Sequence, residues 1–172
     1  KRVAGVGYAR PKAELPVEWL ETKAAIDAAE ARQKNPKSPS RILLVNGSMR
    51  SDQSCPGEMS KTWRLLKLAE EVVHAATGFD LSLLTSQYGR VIHPCKACVS
   101  TAMPLCHWPC SCYPNFAMGQ TSDWMNEIYP MWAAAHGVMI LTPVNWYQAP
   151  AGLKAMIDRL VCANGGKPAP TT

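Results

Sequence analysis

The sequence predicts an α/β protein with an open parallel sheet and helices on both faces of that sheet. Three observations support this prediction. The runs "RILLVNG", "DLSLLT" and "GVMILT" have the length and apolar composition of strands that are buried on both faces. Segments with apolar residues at helical spacing alternate with these runs. No internal repeat interrupts this alternation, and no apolar run reaches the length of about eighteen residues that a membrane span needs.

The predicted elements are bounded by local signals. The first helix is rich in alanine and amphipathic, and prolines break the linker that follows it. Pro130 should kink the third helix or move its start to a later residue. The predicted helices are 17–33, 60–76, 123–135 and 151–162, and the predicted strands are 41–47, 80–85 and 137–142.

Periodicity also predicts which side of two helices faces the core. In the last helix, Lys154 and Asp158 are spaced for a surface ion pair. Its core residues should be Leu153, Met156, Ile157 and Leu160. In the helix 60–76, the apolar side should consist of Leu65, Leu66, Leu68, Ala69, Val72 and Val73.

These elements divide the chain into two parts. Residues 1–40 should form an extended arm, the first helix and a linker, and residues 41–172 should form one α/β domain. Open sheets of this kind usually have five strands, but the pattern stops after three. We therefore expect the domain to be incomplete at residue 172.

Charge and cysteine usage limit the classes of function. Residues 1–50 hold ten Lys/Arg against five Asp/Glu, whereas residues 51–172 hold eight against eight. The body of the domain is thus neutral, which argues against a nucleic-acid reader. The seven cysteines are odd in number and crowded. This count is atypical of a secreted disulfide framework and favours the cytoplasm.

The loop after the first strand, "NGSMRSDQSCPGEMSKTW", has the features of an anion site. Gly47 ends the strand, and a helix begins near Ser60, so free N–H groups and the positive end of the helix dipole face one loop. Hydroxyl donors and cations for a phosphate are supplied by Ser48, Arg50, Ser60, Lys61 and Thr62. The alternative is that Ser60 only caps the helix and Arg50 is solvated.

Two segments resemble one known family. "GSMR…SKTWRLL" resembles the "GSxR…(S/N)TxxL" phosphate loop of the NADPH-dependent FMN reductase family and its iron–sulfur flavoprotein relatives, which are flavodoxin-like. "TPVNWYQAPAGLKAMIDRL" is similar to their "TPVYWxxxPAxLKxxIDR" segment, which is the more specific of the two. The resemblance covers residues 41–162. The first loop departs from the pattern by the inserted "SDQSCPGEM".

The resemblance implies that FMN is the cofactor and NAD(P)H the electron donor. It also implies that the first loop, from Gly47 to Thr62, holds the FMN phosphate and that a second loop lies along the isoalloxazine ring. Ligand binding at the carboxyl ends of parallel strands is consistent with this. The second loop consists of Pro143, Val144, Asn145, Trp146, Tyr147 and Gln148.

The stretch "HPCKACVSTAMPLCHWPCSCYPN" suggests a metal-stapled loop. A [4Fe–4S] cluster or a tetrahedral zinc would order a loop that contains three prolines. A redox-active dithiol and ordinary buried thiols are the alternatives. The candidate cluster ligands are Cys95, Cys98, Cys106 and Cys110, with Cys112 as a substitute, and His107 could replace Cys110 at zinc.

The sequence therefore predicts an FMN-binding, NAD(P)H-dependent oxidoreductase or electron carrier. Its acceptor is a small molecule or a protein, and it is expected to form a homo-oligomer or to belong to a redox complex. The alternative is a non-catalytic subunit that docks in a larger assembly. Three aromatic residues predicted at the surface, Trp108, Trp124 and Trp132, would serve such docking.

Overall fold

The computed structural model describes residues 17–85, 90–97, 100, 106, 108–110 and 123–163. In these ranges helices and strands alternate as predicted. The helices are α1 (Val17–Lys34), α2 (Lys61–Ala75), α3 (Met125–Ala134) and α4 (Ala151–Arg159), which continues as a short 3₁₀ helix (Leu160–Ala163). The strands are β1 (Ser40–Asn46), β2 (Phe79–Thr85) and β3 (Gly137–Leu141).

The three strands form a parallel sheet in the order β2-β1-β3. This is the order of the first three strands of a flavodoxin-like sheet, so the predicted fold class is confirmed. Leu43, Leu44 and Val45 in the central strand are almost fully buried, because helices cover both faces of β1. Leu44 packs with Leu66 of α2 on one face, and its neighbours pack with α3 and α4 on the other.

The N-terminal helix α1 packs mainly against α3 rather than against the sheet. It buries one stripe of residues, spaced three and four apart, as an amphipathic helix should. This stripe consists of Trp19, Thr22, Ile26 and Ala29. The arm that precedes α1, residues 1–16, lies outside the described residues.

His136 joins three elements at the opposite edge of the sheet from the loops described below. Its Nδ1 atom accepts the Arg41 N–H at 3.0 Å, and its Nε2 atom lies 2.9 Å from the carbonyl oxygen of Gln33 in α1. Because Nδ1 is an acceptor, Nε2 must carry the proton and donate it. The histidine is thus satisfied by backbone, as a structural histidine would be.

The predicted core side of α2 is wrong in part. Leu66 is buried, but Leu65, Leu68 and Val72 are exposed, because apolar residues occur on opposite sides of this helix. Only one of these sides packs on the sheet.

Two smaller predictions were also wrong. Ile157 of α4 is 41% exposed instead of buried. The three tryptophans predicted at the surface pack against the main core, and Trp108 also forms an edge-to-face contact with Tyr129 at 4.8 Å between ring centroids.

The predicted surface pair of Lys154 and Asp158 is confirmed. Among the described residues, no helix combines the length and the apolar character that a membrane crossing requires.

Candidate functional site

The two predicted cofactor loops meet at the carboxyl edge of the sheet. Asn46 pairs with Leu141 at the ends of β1 and β3, and the Gly47 N–H donates to the Leu141 carbonyl at 2.8 Å. A Cβ atom on Gly47 would lie 2.7 Å from Thr142 Oγ1 and 2.8 Å from Leu153 Cδ2. Only glycine allows this approach, because real Cβ atoms do not tolerate such contacts. The first loop therefore begins directly against the second.

Local hydrogen bonds hold the start of the first loop. The Ser48 N–H donates to Asn46 Oδ1 at 3.1 Å, and Ser48 Oγ accepts the Arg50 N–H at 3.3 Å. Ser48 is only 3% exposed. Since this hydroxyl accepts from the backbone, its own proton remains available for an anion.

The inserted segment of this loop is a compact turn, and it provides a partner for Arg50, one of the predicted phosphate ligands. Ser51 and Ser54 bond to each other, with Ser54 Oγ donating to the Ser51 carbonyl at 2.7 Å. The Arg50 guanidinium contacts Glu58 instead of standing alone, through Nε to the carbonyl at 3.1 Å and through Nη2 to the carboxylate at 3.5 Å. Such an exposed ion pair is weak, and a phosphate could replace the carboxylate at little cost.

The N-terminus of α2 closes the first loop. Ser60 caps the helix by accepting the Trp63 N–H at 3.0 Å, which is the role that the alternative interpretation gave to this residue. The N–H groups of Lys61 and Thr62 have no acceptor within the helix, because they occupy its first turn. With the helix dipole they give this end of the loop a positive potential.

The second loop is a tight turn between β3 and α4. Asn145 and Gln148 exchange two backbone hydrogen bonds, at 2.9 and 3.0 Å. The two residues at the tip, Trp146 and Tyr147, have positive φ angles of 48° and 65°, and they are 91% and 94% exposed. Positive φ is unusual for bulky residues, and such strain clusters at functional sites.

This turn restricts how the second loop can bind a ligand. The N–H groups of Asn145 and Gln148 are used within the turn, and Pro143 has none. The donors that the turn does not use are the N–H groups of Val144, Trp146 and Tyr147. The polar edge of a ligand would therefore face the tip of the turn rather than its base.

The cysteine loop, which we define as the connection between β2 and α3 (residues 86–124), is described only in part. Cys98, His107 and Cys112 lie outside the described residues. Cys95 is half-buried, and its Sγ atom accepts the Ala97 N–H at 3.3 Å, while Ala97 has a φ of 53°.

The other two described cysteines of this loop belong to the main core. Cys106 is buried there, and Cys110 packs against the same cluster. Within the part of the chain that the structure describes, no three His, Cys, Asp or Glu side chains are placed to hold a metal ion.

A buried polar cluster that the sequence did not reveal fastens the end of the cysteine loop to α4. Arg159 donates to both carboxylate oxygens of Asp123, and both side chains are fully buried. Arg159 also donates to the Tyr129 hydroxyl at 3.4 Å. The signal that could have revealed this cluster is the register of Arg159, which falls three residues after Met156 on the buried face of α4.

Burial dominates the protonation of this cluster and of the Cys162 thiol, which donates to the Arg159 carbonyl at 3.1 Å. It raises the pKa of the Cys162 thiol to about 12, with charge on Cys110 adding to the effect. It also raises the pKa of Tyr129 well above its ordinary value. Burial alone would lower the pKa of Arg159, but the hydrogen bonds to Asp123, together with the electrostatic interactions with Tyr129, Cys110 and Asp123, leave the pKa raised. The thiol and the phenol are therefore neutral, and the ion pair is retained.

The residue that follows Asp123 lies close to the base of the first loop. Trp124, next to Asp123, and Ile92, at the start of the cysteine loop, line a narrow crevice together with Gly47 and Gly152. The entry and the exit of the cysteine loop therefore reach the base of the first loop. An added Cβ atom on Gly152 would lie 3.1 Å from Met49 Sδ, which shows how closely α4 approaches that loop.

The fold places this chain among the parallel α/β domains, a class of protein whose ligands bind at the carboxyl edge of the sheet. The family model of the NADPH-dependent FMN reductases matches residues 40–170. The chain belongs to this family, and flavin-dependent oxidation of NAD(P)H is the general activity that the family implies. Neither the curated proteins nor the solved structures provide a significant match.

Proposed function

We propose that this protein is an FMN-dependent NAD(P)H oxidoreductase whose first loop holds the FMN phosphate and whose second loop lies along the isoalloxazine ring. The observation that carries the proposal is the contact between these loops at Gly47, where a Cβ atom would collide with Thr142. A mononucleotide can bridge two loops that are this close. When bound, FMN would take a hydride equivalent from NAD(P)H and pass its electrons to an acceptor.

The residues of the first loop fit a terminal phosphate. Ser48 and Ser60 are buried, and each hydroxyl accepts one backbone N–H, which leaves its proton for a phosphate oxygen. Lys61 and Thr62 add first-turn N–H groups, and Arg50 adds a charge that has to leave Glu58. The loop lacks a dinucleotide fingerprint, which favours FMN over FAD.

The second loop supplies an edge and a wall for the ring. The N–H groups of Val144, Trp146 and Tyr147 are the donors for its polar edge, and the aromatic side chains exclude water from one side. Asn145 and Gln148 hold this turn in shape through their mutual hydrogen bonds. Pro143 starts the turn and is separated from the end of β3 by Thr142.

The finer parts of the proposal concern partners and location. The acceptor is a small molecule or a redox protein, and the protein acts as a homo-oligomer or within a redox complex. A reducing cytoplasm agrees with the odd number of crowded cysteines. A non-catalytic docking subunit is the alternative, but Trp108, which was expected to serve docking, donates to Glu30 at 3.3 Å and packs on the core.

The identity of the cofactor tests the proposal directly. Protein purified without air should be yellow, and the cofactor released by heat should co-migrate with FMN on chromatography. Recovery of FAD would show that the first loop does not select a mononucleotide. A colourless protein that takes up no added FMN would favour the docking subunit.

Thr62 and Thr77 allow a matched test of the phosphate site. Thr62→Val removes a hydroxyl from the first turn of α2 and should weaken FMN binding by about 1.5–3 kcal/mol, the usual loss for a hydrogen bond to a charged group. Thr77→Val makes the same change just after the other end of the helix, at an exposed position, and should leave the affinity unchanged. Fluorescence titration of the cofactor-free protein measures both. Equal affinities in the two variants would place the phosphate elsewhere.

The proposal retains a metal in the cysteine loop, with a [4Fe–4S] cluster preferred over zinc. Its support is the spacing of the five cysteines and the N–H group of Ala97 at Cys95 Sγ, which is compatible with a thiolate ligand. Cys98→Ser should abolish metal binding, while Cys55→Ser, outside the loop, should not.

Iron and zinc analysis of anaerobically purified variants tests this part. About four irons per chain support the cluster, and one zinc supports a tetrahedral staple. The absence of both metals would show that these cysteines act only as small apolar side chains.

A further inference from the structure

The inserted segment of the first loop, residues 51–59, brings two opposite charges together. Arg50 comes directly before this segment, and Glu58 is its last residue but one. The Arg50 Nε–H donates to the Glu58 carbonyl at 3.1 Å, and Arg50 Nη2 lies 3.5 Å from Glu58 Oε2. The two residues are eight apart in the chain, so their contact depends on how the segment folds back. The segment therefore determines which charge Arg50 faces.

Contacts within the segment produce this fold-back. The Asp52 N–H donates to Met59 Sδ at 3.2 Å, which brings the end of the segment close to its start. Gly57, directly before Glu58, has a φ of 83°, a backbone conformation that glycine adopts without strain. The turn itself thus holds Glu58 beside Arg50, and the ion pair is a consequence of that position.

The pair lies between the two hydroxyl groups of the proposed phosphate site. The Arg50 N–H donates to Ser48 Oγ at 3.3 Å, and Glu58 comes two residues before Ser60, the cap of α2. A phosphate that binds these hydroxyls and the Arg50 guanidinium would approach the Glu58 carboxylate. Because the two anions repel each other, the carboxylate has to leave the guanidinium when the phosphate binds.

The two contacts between Arg50 and Glu58 differ in how a phosphate would affect them. The bond from Nε goes to the backbone carbonyl, so it remains when the carboxylate leaves and keeps the guanidinium in the loop. The contact from Nη2 goes to the carboxylate, and it is weak, because the two side chains are 39% and 66% exposed. Arg50 therefore stays in place while its Nη atoms exchange one anion for another.

We propose that Glu58 is an intramolecular competitor of the FMN phosphate for Arg50, and that it lowers the affinity for FMN without changing how the flavin ring binds. This inference rests on the proposed function, since it concerns the same phosphate site. A neutral side chain at residue 58 should therefore improve FMN binding, but only where Arg50 is present. The inserted segment is then the part of the first loop that sets the affinity for the cofactor.

Fluorescence titration of the whole cofactor-free chain with FMN and with riboflavin, at about 0.1 M salt, tests the competition. Glu58→Gln keeps the shape of the side chain and should tighten FMN binding about three- to tenfold. Riboflavin lacks the phosphate, so it should bind the variant and the unchanged protein equally well. Glu58 is exposed, and the urea midpoint of the variant should match that of the unchanged protein.

Asp52→Asn is the matched control for the loss of charge. It removes one carboxylate from an exposed position of the same segment. In the described part of the chain, Arg50 pairs with Glu58 and not with Asp52. Asp52→Asn should therefore change the FMN affinity by less than about twofold, because salt screens exposed charges that are not in contact.

Arg50→Met separates competition from simple repulsion. In this background, Glu58→Gln should change the FMN affinity by less than about twofold, because there is no guanidinium left to compete for. A gain as large as that in the unchanged background would show that Glu58 repels the phosphate without occupying Arg50, and would overturn the proposal. An unchanged or weaker FMN affinity in Glu58→Gln itself would overturn it as well.

The titrations also separate this inference from the proposed function. If the unchanged protein binds FMN more tightly than riboflavin and Glu58→Gln brings no gain, the inference fails and the phosphate site stands. If none of the proteins binds FMN, or if each binds FMN and riboflavin equally well, the proposed phosphate site fails and the inference fails with it.

Discussion

Arg159 is the largest of the fully buried side chains in the described part of the chain, and its charge requires a buried partner of opposite sign. Its bidentate pair with Asp123 spans 36 residues of sequence, from the end of the cysteine loop to the end of α4. A buried pair of this kind adds little stability compared with apolar residues, but the loss of one partner leaves an uncompensated charge. The pair therefore acts by making one arrangement of the loop and the helix much better than any other.

We predict that Arg159→Met lowers the free energy of unfolding by about 3–5 kcal/mol, because Asp123 stays buried without its partner. Lys154→Met, on the same helix, breaks only an exposed pair with Asp158 and should cost less than about 1 kcal/mol. Urea denaturation of both variants gives the comparison. Equal losses of unfolding free energy would mean that the buried pair is no more important for stability than the exposed pair.

At the scale of elements, α1 acts as a cover for α3 and for the cysteine loop. The Trp19 indole N–H donates to the Pro109 carbonyl at 3.3 Å, and Glu30 accepts from Trp108 at 3.3 Å. Two bonds from one helix therefore hold the same part of the loop, beside Tyr129. The family match begins at residue 40, so α1 is an addition to the part of the chain that the match covers.

Trp19 and Leu20 allow α1 to be tested with neighbouring residues. Trp19→Ala should destabilise the protein by about 3–5 kcal/mol, because it removes a buried aromatic side chain and a hydrogen bond to the loop. Leu20→Ala removes an exposed side chain and should change stability by less than about 0.5 kcal/mol. Thermal or urea unfolding of the whole chain measures both values. Similar effects in the two variants would show that α1 does not support the core.

The sequence alone determined the fold class, the order of the elements and the two loops that carry the cofactor proposal. These features depend on local signals: short apolar runs for strands, 3.6-residue periodicity for helices, and a glycine followed by polar residues where a strand ends. For the same reason, the pair of Lys154 and Asp158 was predicted, and the capping role of Ser60 was recognised as an alternative to phosphate binding. Such interactions involve residues within four positions of each other.

Only the tertiary structure decided which partners distant residues have. The binding of Arg50 to Glu58 depends on how the inserted turn closes, and the burial of Arg159 depends on Asp123, 36 residues away. The α2 helix shows the reason most clearly. Its sequence has apolar residues on two sides, and periodicity cannot tell which side will face the sheet. Packing buries Leu66 and leaves Leu68 in solvent, because a helix on the face of a sheet can bury only one of its sides.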